Sequence, residues 1–256
     1  MNKATFDFLI PQWPAPDNVQ AVITLRSKGD SCAPYGNFNL ATHVGDNPQQ
    51  VAFNRHQLIQ QFDLQSSPLW LNQIHGTEIV SRSCSDYPPD ADGGFSDRVG
   101  DCCVVLTADC LPVLLCNQQG TKVAAVHAGW RGLCGGIISN ALKQFDASDS
   151  VLAFLGPAIS AVHFEVGPEV RESFLSKAID REQKNLLEKA FSKSESDRYL
   201  ADLYALARAE LEQHGVNQIY GGDFCSYSQS EQFYSYRRDK DCGRNASLIW
   251  LKSNAK

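Results

Sequence analysis

The chain lacks most of the short signatures that announce a chemistry. Its 256 residues contain no GxGxxG, no P-loop GxxxxGK, no HExxH, no GxSxG and no EF-hand loop, so the dinucleotide, P-loop, zincin, serine-hydrolase and EF-hand readings have nothing to rest on. None of the nine cysteines forms a CxxC pair, which removes zinc ribbons and thioredoxins. No window approaches the roughly 18 apolar residues of a membrane helix, and the first residues lack the regions of a signal peptide. Basic residues are few and unclustered, 23 against 29 acidic for a net charge of −6, which leaves no electrostatic footprint for nucleic acid. The expectation is a soluble cytoplasmic monomer that handles small molecules and engages neither nucleic acid nor membrane.

Apolar residues make up 43% of the chain, with 18 glycines besides, enough for a packed core. No linker, repeat or low-complexity tract interrupts it, so residues 1–256 are expected to form a single domain. An odd cysteine count in a reducing compartment argues against a disulfide framework and leaves core, ligand or nucleophile roles. The sequon at Asn245 is chance in such a protein.

Residues 19–26, 68–80, 102–107, 111–116, 123–126, 151–155, 218–220 and 247–251 read as strands, several of them near-continuous apolar runs expected to be buried on both faces. Residues 137–142 and 202–215 read as helices, the second capped by Asp202 and stopped by Gly215. Another helix opens at Gly167-Pro168-Glu169. The charged stretch 176–198 reads as a solvated helical face or loop.

Of six histidines, His56 and His214 fall in amphipathic helix patterns, and His163 reads as structural. His75, Cys110 and His127 differ, because each falls where an apolar strand ends beside small or turn-forming residues. Two imidazoles and one thiolate match the ligand count of catalytic zinc, with one position left open. Their spacing carries no specificity, and a buried cysteine acting as a small hydrophobe is the competing reading.

Longer words surround these residues. Asn37-Phe38-Asn39-Leu40, His43-Val44-Gly45-Asp46, Gln73-Ile74-His75-Gly76, Ala91-Asp92-Gly93, Thr107-Ala108-Asp109-Cys110 and the run from His127 to Gly132 come first. Leu155-Gly156-Pro157-Ala158, Phe164-Glu165-Val166-Gly167-Pro168, the run from Ser235 to Asp239, and Gly243-Arg244 follow. In this order and over nearly the whole chain, they resemble the YfiH family, also called the laccase-domain or multicopper polyphenol oxidoreductase family. Cys242, before Gly243, departs from the family pattern. The resemblance implies a single layered α/β/β/α domain related to toxin-like cysteine hydrolases. It also implies a metal site on His75, Cys110 and His127, and purine nucleoside phosphorylase activity with adenosine deamination, on substrates of the adenosine, inosine, guanosine and methylthioadenosine class.

On this reading zinc is the cofactor, and copper at the same ligands is adventitious. Cys110, His127 and Asp109 are the candidate catalytic residues. Phosphorolysis needs anion holders, for which Arg131 comes first, then Arg237, Arg238 and Arg244, with His43 and Asn39 as further substrate or phosphate contacts. Two alternatives use the same residues. One is a Cys110–His127 hydrolase acting on a small amide such as a cell-wall peptide precursor. The other is a copper-dependent polyphenol oxidase, which the lack of any His-x-His pair disfavours.

Overall fold

The computed structural model describes residues 6–81, 87–195 and 197–253. In chain order the strands are β1 (Phe8–Leu9), β2 (Val19–Thr24), β3 (Ile79–Ser81), β4 (Gly93–Ser96), β5 (Cys102–Thr107), β6 (Leu111–Asn117) and β7 (Val123–Ala128). There follow β8 (Val151–Leu155), β9 (Glu165–Val166), β10 (Phe191–Lys193), β11 (Tyr199–Ala201), β12 (Gln218–Gly221) and β13 (Asn245–Leu251). The helices are α1 (Pro48–Gln61), α2 (Trp130–Gly135), α3 (Ile137–Leu142), α4 (Pro168–Leu175), α5 (Arg181–Lys189), α6 (Leu203–Gln213) and α7 (Tyr236–Asp239).

One sheet runs β1-β2-β13-β5, all antiparallel. A larger sheet runs β12-β8-β6-β7-β4-β3, parallel only at its two outer pairs. Strands β9, β10 and β11 form a small antiparallel sheet. Side chains alternate faces along each strand, and the burial follows that period of two. In β6, Leu114 and Cys116 face the core between the two large sheets, while Leu111, Val113 and Leu115 face helices α2 to α6. In β5, Cys103 and Val105 face the inter-sheet core, whereas Cys102, Val104 and Leu106 pack with Leu58 of α1. The layers are therefore α/β/β/α, as expected, and every face of the central strands is covered. That cover explains the unbroken apolar runs without a parallel sheet.

One expectation is corrected and another extended. Residues 69–74 form no strand: Leu69 and Asn72 make only isolated bridges, to Cys103 and Asp90, and the strand proper waits until β3. The stretch 176–198 does present a solvated helical face on α5, whose one buried residue is Leu187, but it also holds β10, with Phe191 in the helix-side core. The ends of α6 follow the residues named for them. Asp202 accepts from the Tyr204 and Ala205 amides, and Gly215 takes a φ of +79° at the stop. Asn245 is buried within β13, where a glycosylation machinery could not reach it. Among the described residues no helix is long and apolar enough to cross a membrane.

Candidate functional site

Strand register assembles the cluster that the sequence marked out. Leu111 pairs with Ala128 and Pro112 with His127, so Cys110, one residue before β6, arrives at the same sheet end as His127. On the other side of β7, Gly93 pairs with Val126, which sets Asp92 beside His127. The His127 amide donates to the Asp92 carbonyl at 2.7 Å. The Asp92 carboxylate is fully buried and accepts from the backbone amides of Ile74 (3.1 Å), His75 (2.9 Å) and Gly76 (2.6 Å). It also lies 2.7 Å from His127 Nδ1. One carboxylate thus folds the turn carrying His75, at a φ of +59°, against the strand carrying His127. With Nδ1 bonded to Asp92, His127 presents Nε2 to the cluster. Gln73 adds a brace, exchanging hydrogen bonds with the Leu106 backbone at 2.7 and 2.8 Å.

The ligand atoms of His75, Cys110 and His127 lie within 4.8 Å of one another, and among the described residues this is the one such His/Cys/Asp/Glu group. Cys110 Sγ is 3.9 Å from His75 Nε2. Burial raises the Cys110 thiol pKa, but His127 and His75 outweigh it and bring it down to about 6. Burial likewise lowers His127, and the Cys110 thiolate and Asp92 overcome this to raise it to about 9. Without metal, both shifts favour a thiolate beside an imidazolium near neutral pH. Gly129 lies against this cluster: a Cβ there would sit 3.0 Å from both Cys110 Sγ and His75 Cδ2.

The cluster opens into a cavity of ≈ 400 Å³ whose wall includes His43, Gln73, Asp109, Ile159, Phe164, Tyr236, Arg237 and Arg244. Partial desolvation, then Arg244 and Arg55, hold His43 below the ordinary imidazole pKa. Arg244 is tied to Asn39 Oδ1 through its amide (3.0 Å), and its Nη1 turns onto the Cys242 and Gly243 carbonyls. Cys242, the residue that departs from the family pattern, is buried and lies 3.4 Å from that same Nη1. Arg237 donates to the carbonyls of His163 and Glu165.

Other sequence candidates fall elsewhere. Arg131 is exposed on α2, its guanidinium over the Trp130 ring, and does not line the cavity. Arg238 spends its guanidinium on the carbonyls of Ser226, Tyr227 and Phe233 and on Asp239. Asn39 is buried and bonded to Ala41, Asp46 and Arg244, so it supports the wall without reaching the cavity. Asp109 lines the cavity at a φ of +92°, but its two oxygens accept from Ser226 Oγ (2.7 Å) and the Arg237 amide (2.6 Å). That makes it a tether for α7. Asp92 was quoted in its motif and given no role; a carboxylate between small residues at a strand start was the available signal.

A family model described as multi-copper polyphenol oxidoreductase laccase matches residues 20–252. The chain belongs to this family. It is 48% identical over 245 residues to the purine nucleoside phosphorylase YfiH of Escherichia coli (strain K12), covering 95% of this chain and 98% of that protein. Against the purine nucleoside phosphorylase PA4543 of Pseudomonas aeruginosa it is 43% identical, covering 96% and 98%. Among solved structures, Neisseria meningitidis protein NMB0706 matches with a TM-score of 0.89 at 45% identity, covering 96% of this chain and 99% of that one.

Proposed function

We propose that the chain is a purine nucleoside phosphorylase working at this cavity, with zinc held by His75, Cys110 and His127. The observation that carries the reading is one cavity that joins a Cys/His₂ cluster to guanidinium groups and to the aromatic side chains of Phe164 and Tyr236. The names of the relatives agree with it. The donor set fits zinc: borderline-soft ligands, three in number, within bonding reach of one centre, with the Nδ1 of His127 already engaged by a carboxylate. Bound there, zinc supplies a Lewis acid at the cavity floor.

The chain's own residues then divide the work. Phe164 and Tyr236 offer ring faces to a purine, and Arg244 holds the phosphate dianion. As the bond from C1′ to the purine breaks, its electron pair leaves with the base, which takes up a proton matched by the one the attacking hydrogen phosphate gives up. A phosphate oxygen forms the new bond to C1′. Asp109 and Arg237 hold α7 and the segment at residues 163–165 as the cavity wall. We propose adenosine deamination as a second reaction of the same cavity, and the reducing cytoplasm as its setting, in keeping with eight free cysteines among the described residues.

A second reading is favoured by one feature, the lowered Cys110 thiol beside a raised His127, which is a nucleophile–base pair of the kind a toxin-like cysteine hydrolase would use. Polyphenol oxidation by several coppers has less support, because the described residues offer a single ligand cluster. Incubating protein containing only zinc with inosine or adenosine, with and without phosphate, separates these. Base release that requires phosphate supports the phosphorylase; equal release in both sinks it in favour of a hydrolase.

A further inference from the structure

Some arginines and lysines here pair with an acid, while others, such as Arg208 and Arg237, spend their guanidiniums on backbone carbonyls. Arg26 and Arg238 reach Asp239, Arg198 reaches Glu165, and Lys122 reaches Asp146 and Asp149. Arg55 on α1 is built differently. Its guanidinium carbon lies 3.7 Å from the centroid of the Trp70 ring, and Nε donates to the Leu40 carbonyl at 2.9 Å. Among the described residues neither of its terminal amino groups has a hydrogen-bond partner and no carboxylate pairs with it. The group is half-buried, and burial lowers its pKa to about 10.

Arg55 is anchored to the same short segment as Arg244. Arg244 hangs from Asn39 and Arg55 from Leu40, and His43 follows three residues later, with both guanidiniums acting on it. Arg244 also lacks a carboxylate partner among the described residues. A half-buried cation without a counter-charge is costly, and two of them flanking a neutral imidazole form a concentration of positive charge in a chain whose net charge is −6. A planar guanidinium with free amino groups matches the oxygens of a phosphoryl group.

We infer that Arg55, anchored beside the cavity wall, is a ligand-binding residue which joins Arg244 and His43 of that wall in seating a phosphate dianion. The seat rests on the phosphorylase reading for its role in turnover, though not for its existence. Trp70 and Leu40 aim the guanidinium, and the incoming anion supplies the missing acceptors and charge.

The test pairs calorimetric titration of inorganic phosphate with steady-state kinetics, on wild type, Arg55→Gln and Arg55→Lys, each checked for zinc content and melting temperature. Loss of charge-assisted hydrogen bonds predicts a phosphate KM raised about tenfold or more in Arg55→Gln. The nucleoside KM and the kcat at saturating phosphate stay within about twofold to threefold, and Arg55→Lys recovers part of the loss. Phosphate should also bind more weakly to Arg55→Gln in the titration, a readout that needs no turnover. If wild type binds phosphate through Arg55 but cleaves nucleosides without needing it, the seat stands and the phosphorylase reading falls. A nucleoside 5′-monophosphate that displaces inorganic phosphate from wild type and not from Arg55→Gln would assign the seat to a phosphate carried on the substrate. Phosphate binding equal in wild type and Arg55→Gln overturns the inference. So does a loss of melting temperature in both variants with both KM values rising together, which is the pattern of a structural clamp.

Discussion

The two ends of the cavity are held by different means. At the Cys/His end, strand register and a buried carboxylate place every ligand: β6 and β7 bring Cys110 to His127, and Asp92 binds the His75 turn and the His127 ring together. At the arginine end, Arg237 and Arg244 line the wall and, with Arg55 anchored nearby at Leu40, they hang from backbone carbonyls and have no carboxylate partners among the described residues. The first end is complete before any ligand arrives, and it tolerates little. The second is complete only with an anion, so changes there should appear as weakened phosphate binding in a protein that still folds.

The sharpest way to break this contrast is at Asp92. Asp92→Ala leaves three backbone amides and an imidazole N–H unpaired in the interior. Zinc affinity should fall by about 10- to 100-fold, as removal of a carboxylate behind a ligating histidine commonly does, with a lower melting temperature. Elemental analysis after dialysis and thermal unfolding check both. Asp92→Asn should also lose zinc, because all four contacts require an acceptor and the amide offers only one.

Gly129→Ala tests how little room the same end has. Its Cβ would press on Cys110 and His75 at 3.0 Å, so a cost of about 1–3 kcal/mol is expected from overpacking, along with reduced zinc occupancy. Denaturant unfolding of the zinc-free and zinc-loaded forms separates the two effects.

The metal-free pair makes a pH prediction. Cys110 is lowered from 9.0 to about 6 and His127 raised from 6.5 to about 9. Alone, the depressed thiol would add stability that is lost as pH falls from 9 toward 6. The raised imidazole would add stability present below 6.5 and lost as pH rises toward 9. Between pH 6.5 and 9 the folded pair and the unfolded pair each hold one proton, so these slopes cancel. Metal-free wild type and Cys110→Ser should therefore differ in reactivity. Alkylation at Cys110 should persist down to about pH 6, while the stability contributed by the pair stays flat from 6.5 to 9. A thiol titrating near 9 would break the description of this end as preorganised.

The smallest effect is expected at Arg131. Arg131→Gln should change the phosphate KM by less than about twofold, against about tenfold or more for Arg244→Gln, because Arg244 lines the cavity and Arg131 does not.

That pair of arginines also shows where a sequence stops being readable. His75, Cys110 and His127 could be found because strand ends are marked by local pattern, and the surrounding words belong to a family. The near-continuous apolar runs of β5, β6 and β7 likewise made the central strands legible. Arg131 looked apt because it stands four residues after His127 in the chain, yet a helix start can turn a side chain away from the strand before it, and α2 does. Arg55 gave no local sign, and Asp92 only the weak one of a carboxylate between small residues. Their roles depend on α1 packing over residues 39–40 and on β4 lying beside β7, contacts between distant segments that no spacing encodes. Residues 69–74 misled for a related reason: their apolar pattern reflects burial of Leu71 in the inter-sheet core, whereas their pairing stops at isolated bridges.

The most direct measurement of the central claim is phosphorus NMR of zinc-loaded wild type with inosine and inorganic phosphate. The account predicts that the phosphate signal declines as one sugar phosphate ester appears for each hypoxanthine released, and that Cys110→Ala shows neither change. Hypoxanthine released with the phosphate signal unchanged would contradict it.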